Sequence, residues 1–160
     1  MLMRIRLAIP LAFALFLTDC ASKELAEDFL TPAHIAHPVI GNVVRFTLAY
    51  NNGAAMSLPI GNNARWPLIL VSAAMVAVLA RYVMRRRGSV LMQVATGLVF
   101  GGALGNLASR VMSTRGVIDF IDVGVGTHRF YVFNVADIGV CVGVCLLMLA
   151  ARRAERQAAA

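Results

Sequence analysis

Two aspartates, Asp119 and Asp137, stand among bulky apolar residues, and Asp122 follows the first of them closely. Carboxyl groups that converge in an apolar setting can share one proton, because the charge of one disfavours ionisation of the other. The ionised group can then activate water while the protonated group donates to a substrate carbonyl. These residue types predict acid–base hydrolysis by Asp137 together with either Asp119 or Asp122.

Polar residues that could support such a pair occur nearby. Asn106 and Arg110 are one helical turn apart and therefore share a helix face. Asn134 is a residue type that caps helices, and Asp137 would then lie in the first turn, where negative charge is favourable. Taken alone, this explains Asp137 as a helix-start residue. Arg110 alone suits either an interfacial anchor or a partner for a carboxylate.

A second polar pair, Asp19 and Lys23, lies one helical turn apart near the end of the first apolar run. The acid precedes the base, which is the favourable order for a helical ion pair. Placing a carboxylate near lipid costs free energy unless the group faces protein or water, so Asp19 is a functional candidate by default. We favour the structural alternative, a salt bridge that stabilises the helix end.

Metal and nucleophile chemistry find no support in the sequence. No Ser-His-Asp pattern is present, and the histidines and cysteines have neither zinc-ligand nor disulfide spacing. These histidines and cysteines are His34, His37, His128, Cys20, Cys141 and Cys145. The sequence therefore predicts surface histidines, no metal site and no organic cofactor.

The elements that must position these residues are membrane helices. Of the 160 residues, 59% are hydrophobic and only 14% are charged, which exceeds what a soluble fold of this size can bury. The net charge of +7 comes from short arginine clusters rather than one basic face, which argues against nucleic acid. We expect one all-α membrane domain over residues 1–160, with outer loops at about 23–66 and 109–133. The helices are predicted at about 7–22, 67–84, 90–108 and 134–151.

The arginine clusters predict the orientation of the helices. Nine cations and one acid, giving +8, flank the termini and the connection between the second and third helices. Six cations and seven acids, giving −1, occupy the other side. The positive-inside rule then places both termini in the cytoplasm and both long loops outside.

Small residues predict how the helices pack. Gly97, Gly101 and Gly105 recur every four residues on the third helix, and Gly139 and Gly143 do so on the fourth. Such stripes let helix backbones approach closely in a membrane, so we expect a packed bundle.

The first outer loop contains a segment, Val43–Ser57, whose first half is rich in strand-forming residues. Its Asn-Asn-Gly is a turn signal. We expect a short β-ribbon on the membrane surface with Asn51 as its polar side chain. An ordinary interfacial hairpin explains the pattern equally well.

Together these motifs resemble the signal peptidase II family, in that family's order and over almost the whole chain. Each of five segments resembles one motif of the family. Asp19–Lys23 resembles D-x-x-S-K, Tyr50–Ser57 resembles Y-N-x-G-A-A-F-S, and Gly101–Arg110 resembles G-G-A-L-G-N-x-x-D-R. Val117–Phe120 resembles V-V-D-F, and Phe133–Asp137 resembles F-N-x-A-D.

The resemblance implies an aspartic endopeptidase of the bacterial cytoplasmic membrane that cuts prolipoproteins before the diacylglyceryl-modified cysteine. Its partners would be these signal peptides and membrane lipid, with no nucleic acid, and we expect a monomer. By motif position the catalytic pair is Asp119 and Asp137. Residues that match positions for substrate binding or support are Asn51, Gly53, Asn106, Arg110, Asn134, Asp19 and Lys23.

The sequence departs from the family pattern at two positions. Ser109 replaces the usual acid before Arg110, and Met56 replaces a common phenylalanine. Without that acid Arg110 needs another partner, and we expect a loop acid such as Asp122.

Three other interpretations compete with a peptidase. A small proton-coupled transporter would place acids at mid-membrane depth on broken helices. A non-catalytic bundle would use its glycine stripes to assemble with partners. A cleaved signal peptide ending at Cys20 fits poorly, because Asp19 occupies a position that requires a small residue.

Overall fold

The computed structural model describes residues 7–52, 65–85 and 89–158 as four helices and a four-stranded antiparallel sheet. The helices are α1 Ala8–Leu30, α2 Arg65–Arg85, α3 Val90–Met112 and α4 Val135–Ala158. The strands are β1 Ala36–Ile40, β2 Val44–Asn51, β3 Val117–Val125 and β4 His128–Arg129, in the spatial order β1-β2-β3-β4. Gly53, Met56 and the arginines at 86 and 87 lie outside the described residues.

Three of the described helices are long and apolar enough to cross a membrane. Their candidate spans are Arg65–Met84, Val90–Met112 and Val135–Gln157. Helix α1 has 23 residues, but its second half carries Asp19, Lys23 and Glu24. The chain is thus a helix-rich membrane protein with a small sheet.

The helices continue beyond the bounds predicted from their apolar runs. Helix α1, predicted to end at about Ser22, continues to Leu30, and α3 and α4 also extend several residues further. In α1 the extension is charged, yet Ala26 and Leu30 are buried and pack with Leu48 of the sheet. Charged residues mark where the lipid-facing part of a helix ends, but the helix itself can continue, because packing against another element also stabilises helical backbone.

Helix α3 lies at the centre of the helices, and its glycines permit close contact. A Cβ atom at Gly101 would lie 2.6 Å from the carbonyl oxygen of Ala12 in α1, and one at Gly97 would lie 2.7 Å from that of Ala8. On the side towards α4, a Cβ at Gly102 would meet the backbone of Ala136. The predicted glycine-mediated packing is confirmed.

The sheet joins the two segments that were predicted as outer loops. The strand expected after Val43 is present as β2, but its main partner is β3, which lies within the predicted loop 109–133. Strand β3 was missed because its two aspartates interrupt the apolar pattern, while its pairing with β2 depends on residues far away in the sequence. The expected small β-ribbon is therefore present, but as part of a four-stranded antiparallel sheet beside the helices.

The sheet rests on the extended end of α1. Leu48, Ile118 and Phe120 form a buried cluster with Ala26 and Leu30. This contact fixes β3 against the helices, and with it Asp119, which lies between two members of the cluster.

We predict that Gly101→Val destabilises the protein in detergent, by about 1–3 kcal/mol as for other overpacked positions. Any side chain there must push α3 away from the Ala12 backbone. The thermal unfolding midpoint measures the effect. Ala74→Val, at an exposed position of α2, is the control and should change stability by less than about 0.5 kcal/mol. An equal effect of the two substitutions would contradict close packing at Gly101.

Candidate active site

The end of the sheet is tied to the start of α4 by three backbone hydrogen bonds. The carbonyl oxygen of Phe133 accepts from the N–H groups of Phe120 at 3.0 Å and Ile121 at 2.8 Å. The N–H of Phe133 in turn donates to the carbonyl oxygen of Ile121 at 3.0 Å. Since Asp119 precedes this bridge and Asn134 follows it, the backbone brings these two residues together.

Asn134 contacts both catalytic candidates and is completely buried. Its Nδ2 donates to Asp119 Oδ1 at 2.6 Å. Its Oδ1 accepts from the N–H of Asp137 at 3.0 Å, and Asp137 Oδ2 accepts from the N–H of Asn134 at 3.2 Å. The reciprocal pair is a capping box, which confirms the predicted helix start. The two carboxyl groups therefore converge on one amide residue.

Asn106 holds Asp137 from α3. Its Nδ2 donates to Asp137 Oδ1 at 2.8 Å, while its Oδ1 accepts from Lys23 Nζ at 3.0 Å and from Asn134 Nδ2 at 3.2 Å. An ammonium group only donates hydrogen bonds, so Lys23 requires the oxygen of the Asn106 amide on its side. The nitrogen is then left facing the carboxylate of Asp137.

Asp19 and Lys23 form the expected salt bridge, with 2.7 Å between Lys23 Nζ and Asp19 Oδ2. Both residues are buried, and Asp19 Oδ1 also accepts from the N–H of Ala136 at 2.8 Å. Asp19 therefore satisfies a free N–H in the first turn of α4 that Asn134 leaves unpaired. A Cβ atom at Gly105 would meet the Asp19 carboxylate, so the glycine stripe also makes room for this contact.

Asn51 contacts the other aspartate from the end of β2. The register pairs Asn51 with Val117, and the Asn51 Nδ2 donates diagonally to Asp119 Oδ2 at 3.2 Å. Asn51 is thus brought to the site as the resemblance implied. Gly53, implied by the same motif, lies outside the described residues.

Asp119 and Asp137 open on one cavity of about 330 Å3. Its polar lining is Asn51, Asn106, Arg110, Asp119 and Asp137. Its apolar lining is Val117, Phe130, Tyr131, Val132, Phe133, Val140 and Cys141. Sequence reasoning missed this apolar wall, although Val140 and Cys141 are one helical turn beyond Asp137 and so lie on its helix face. The cavity thus combines an apolar wall with a polar floor that contains both aspartates.

Arg110 does not pair with Asp122, so that expectation was wrong. Asp122 instead lies between Arg45 and Arg129, each with a nitrogen 2.7 Å from a carboxylate oxygen. Arg45 stands directly opposite Asp122 in the β2–β3 register, which explains the pairing. Positions three apart in a strand face opposite sides, so Asp122 points away from the site when Asp119 points into it.

Arg110 itself lines the cavity that contains Asp119 and Asp137, which we call the catalytic cavity because both catalytic candidates lie in it. Its Nη1 donates to the carbonyl oxygen of Asn106, one turn earlier in α3, at 3.1 Å. Its positive charge therefore stands in the cavity that contains Asp119 and Asp137. Ser109 instead lines a different cavity and donates to the Gly105 carbonyl at 3.2 Å, so the departure from the family pattern falls outside the catalytic cavity.

The surroundings of Asp119 favour its protonated form. Burial, followed by the charge of Asp137, raises the pKa of Asp119 from 3.8 to about 7, although the amides of Asn51 and Asn134 act in the opposite direction. Asp122 behaves differently. Burial raises its pKa, but hydrogen bonds from Arg45, Arg129 and Thr47 outweigh burial and hold the pKa below 3.8.

The expected surface position of the histidines is confirmed. His34, His37 and His128 are exposed. Within residues 7–52, 65–85 and 89–158, no group of three His, Cys, Asp or Glu side chains is arranged to hold a metal ion.

The chain is similar in sequence and fold to known proteins. A family model described as signal peptidase (SPase) II matches residues 11–153. A lipoprotein signal peptidase of Coxiella burnetii (strain Dugway 5J108-111) is 39% identical over 144 residues, which cover 87% of this chain and 85% of that protein. One of Aquifex aeolicus (strain VF5) is 32% identical, with 89% and 84% covered. A bacterial membrane enzyme solved by the in meso method at 2.3 Å resolution superposes with a TM-score of 0.80 at 29% identity, covering 91% of this chain and 87% of that one.

Asp119 and Asp122, which lie on the same strand, should affect the free energy of unfolding with opposite signs. Because the pKa of Asp119 is raised, its ionisation costs the folded state more than the unfolded chain, and stability falls as pH rises from about 4 through 7. We predict that Asp119→Asn is more stable than the parent at pH 8, by up to about 4 kcal/mol, and that the difference vanishes towards pH 4.

Asp122→Asn is the matched comparison on the same strand. Its lowered pKa stabilises the folded state above pH 4, and that stabilisation is lost as pH falls further. We expect this variant to be less stable than the parent at pH 8. Thermal unfolding of all three proteins in detergent at pH 4, 6 and 8 measures both effects. Destabilisation by Asp119→Asn at pH 8 would contradict an unfavourable buried charge.

Proposed function

The chain belongs to the signal peptidase II family and removes signal peptides from lipoproteins, and we propose that Asp119 and Asp137 are its catalytic pair. The observation that carries the proposal is the double contact of Asn134, which bonds to Asp119 through its side chain and to Asp137 through its backbone and side chain. The pair opens on a cavity with an apolar wall. Asp119 and Asp137 thus provide the two acidic groups that an aspartic hydrolase mechanism needs.

The surroundings of the two carboxyl groups divide their roles. Asp137 accepts two N–H groups, from the Asn106 side chain and the Asn134 backbone, and lies in the first turn of α4. Hydrogen-bond donors and the positive end of the helix dipole thus both face its carboxyl group. Asp119 carries the remaining proton at neutral pH, since its pKa is raised to about 7. Asp137 is therefore the general base and Asp119 the general acid.

The reaction follows from this division. Asp137 takes a proton from water, and the water oxygen forms a bond to the scissile carbonyl carbon. Asp119 donates its proton to the carbonyl oxygen, which gives a neutral tetrahedral diol. The diol then collapses: the C–N bond breaks, the leaving nitrogen takes the proton held by Asp137, and Asp119 recovers its proton from a hydroxyl group.

We assign the substrate as a prolipoprotein cut before its diacylglyceryl-modified cysteine. Such a substrate is anchored in the membrane by its signal helix and its acyl chains, so cleavage must occur where the helices meet the outer surface. Asp137 lies at the start of a candidate span and Asp119 on a strand outside the helices. The apolar wall of the cavity, which includes Phe130 and Phe133, suits lipid chains.

The same proposal includes the remaining topology. Helix α1 is the fourth membrane helix, because it packs against α3 through Gly97 and Gly101 over its apolar half. The sheet and the catalytic pair then lie on the outer face and both termini in the cytoplasm, in agreement with the arginine distribution. The chain acts as one monomeric domain over residues 1–160.

A proton-coupled transporter fits the geometry less well. Its acids would lie at mid-membrane depth on broken helices. Here Asp137 is in the first turn of α4, and Asp119 is on β3.

We predict that Asp119→Asn and Asp137→Asn each lower the rate of precursor cleavage by at least about 100-fold, since each removes a proton-transfer group. The measurement uses purified protein and a diacylglyceryl-modified precursor, with the unmodified precursor as a comparison substrate. Asp28→Asn, at an exposed position of α1, controls for loss of a carboxylate as such. Normal cleavage by both active-site variants would rule out the proposed pair.

The rate should also depend on the charge of Asp119. We expect kcat/KM to fall as pH rises above about 7, because Asp119 then loses the proton it donates. Asn51 donates to the Asp119 carboxylate and lowers its pKa, so Asn51→Ala should move this fall to higher pH. The pH profiles of both proteins provide the measurement. A shift to lower pH in the variant would contradict the assignment of Asp119 as the acid.

A further inference from the structure

A second cavity of about 440 Å3 opens between α1 and the C-terminal end of α3. Apolar side chains from Ala108, Met112 and Ile118 line it together with the charged Lys23, Glu24, Glu27 and Arg115. The ammonium group of Lys23 is already bonded to Asp19 and Asn106. Ala108 and Met112 lie on the opposite side of α3 from the residues that line the catalytic cavity, given about 100° of rotation per residue. Of the residues that the structure describes, none lines both cavities, although Lys23 contacts Asn106 of the catalytic cavity.

The charged lining is partly fixed in place. Glu27 Oε1 accepts from the Tyr50 hydroxyl at 2.8 Å and from Arg115 Nη2 at 2.7 Å. The Arg115 guanidinium also lies 4.5 Å from the centre of the Tyr50 ring. These contacts hold a carboxylate and a guanidinium side by side at the cavity.

Carboxylate oxygens at this site can accept further hydrogen bonds. Both donors to Glu27 use Oε1, so within the described parts of the chain Oε2 receives no hydrogen bond. The carboxylate of Glu24 likewise has no donor or ion-pair partner among the described residues, although it lines the same cavity. An occupant with several N–H donors on a positive group would satisfy both.

Charge complementarity identifies the occupant. An ammonium group donates to Glu24 and Glu27, and a neighbouring phosphate accepts from Arg115. The cavity lies at one end of α3, which is long and apolar enough to cross a membrane, so acyl chains can continue from its apolar lining into lipid. We propose that this cavity binds a membrane phospholipid with a primary-ammonium head group, of the phosphatidylethanolamine type.

Alternative head groups match the lining less well. The quaternary ammonium of a choline head group has no N–H to donate. A glycerol head group leaves a net negative lipid beside two carboxylates, which is unfavourable. The chemistry therefore predicts the order ethanolamine, then choline, then glycerol.

Lipid binding to the purified full chain in detergent tests the proposal. Native mass spectrometry compares phosphatidylethanolamine, phosphatidylcholine and phosphatidylglycerol with identical acyl chains. We expect at least about tenfold tighter binding of the ethanolamine lipid than of the glycerol lipid, as for a charge-assisted contact. Glu24→Gln should reduce that preference, and Ala108→Phe should weaken binding at least about tenfold because its ring fills the cavity.

The matched control is Asp28→Asn, which removes a carboxylate from the same helix at a position that does not line the cavity. It should bind as the parent does. Equal binding of the three lipids overturns the proposal, as does unchanged ethanolamine preference in Glu24→Gln together with unchanged binding in Ala108→Phe. Binding of soluble phosphoethanolamine as tight as that of the lipid also overturns it. The readout is binding rather than cleavage, so it stands or falls independently of the catalytic assignment.

Discussion

The site depends on the fully buried amide of Asn134, which contacts both aspartates. An amide both donates and accepts, so one side chain can bond to the carboxyl group of Asp119 and to the backbone N–H of Asp137. The same side chain thus caps α4 and joins the two aspartates. Its position in turn depends on the backbone bridge at Phe133, which fixes the start of α4 against β3.

Most of the polar groups behind the pair are buried and hydrogen-bonded in a continuous series. It runs from Asp19 through Lys23 and Asn106 to Asp137. Unpaired polar groups in such surroundings are costly, so each member fixes the orientation of the next. The close approach of α1 and α3 permits this series, and the glycines at 97, 101 and 105 permit that approach.

Local sequence patterns predicted the parts of the structure that depend on local geometry. The Asn134–Asp137 spacing predicted a capped helix, and the glycine repeat predicted close helix contacts. The pairing of Arg45 with Asp122 could not be predicted in that way, because it depends on β2 lying beside β3. For the same reason spacing alone left Asp119 and Asp122 equivalent. Strand alternation separates them only when β3 is recognised as a strand.

In the proposed mechanism, the position of Asp119 and Asp137 at strand and helix ends reconciles two requirements. A proton donor for hydrolysis near neutral pH needs burial, since an exposed aspartate is already ionised there. The base needs a water molecule, which the hydrocarbon interior does not supply. Asp119 is 3% exposed, while Asp137 opens on the cavity that it shares with Arg110. The surroundings that would make Asp119 the proposed proton donor also make its ionised form unfavourable to folding, so the proposal implies that activity and stability are opposed at this residue.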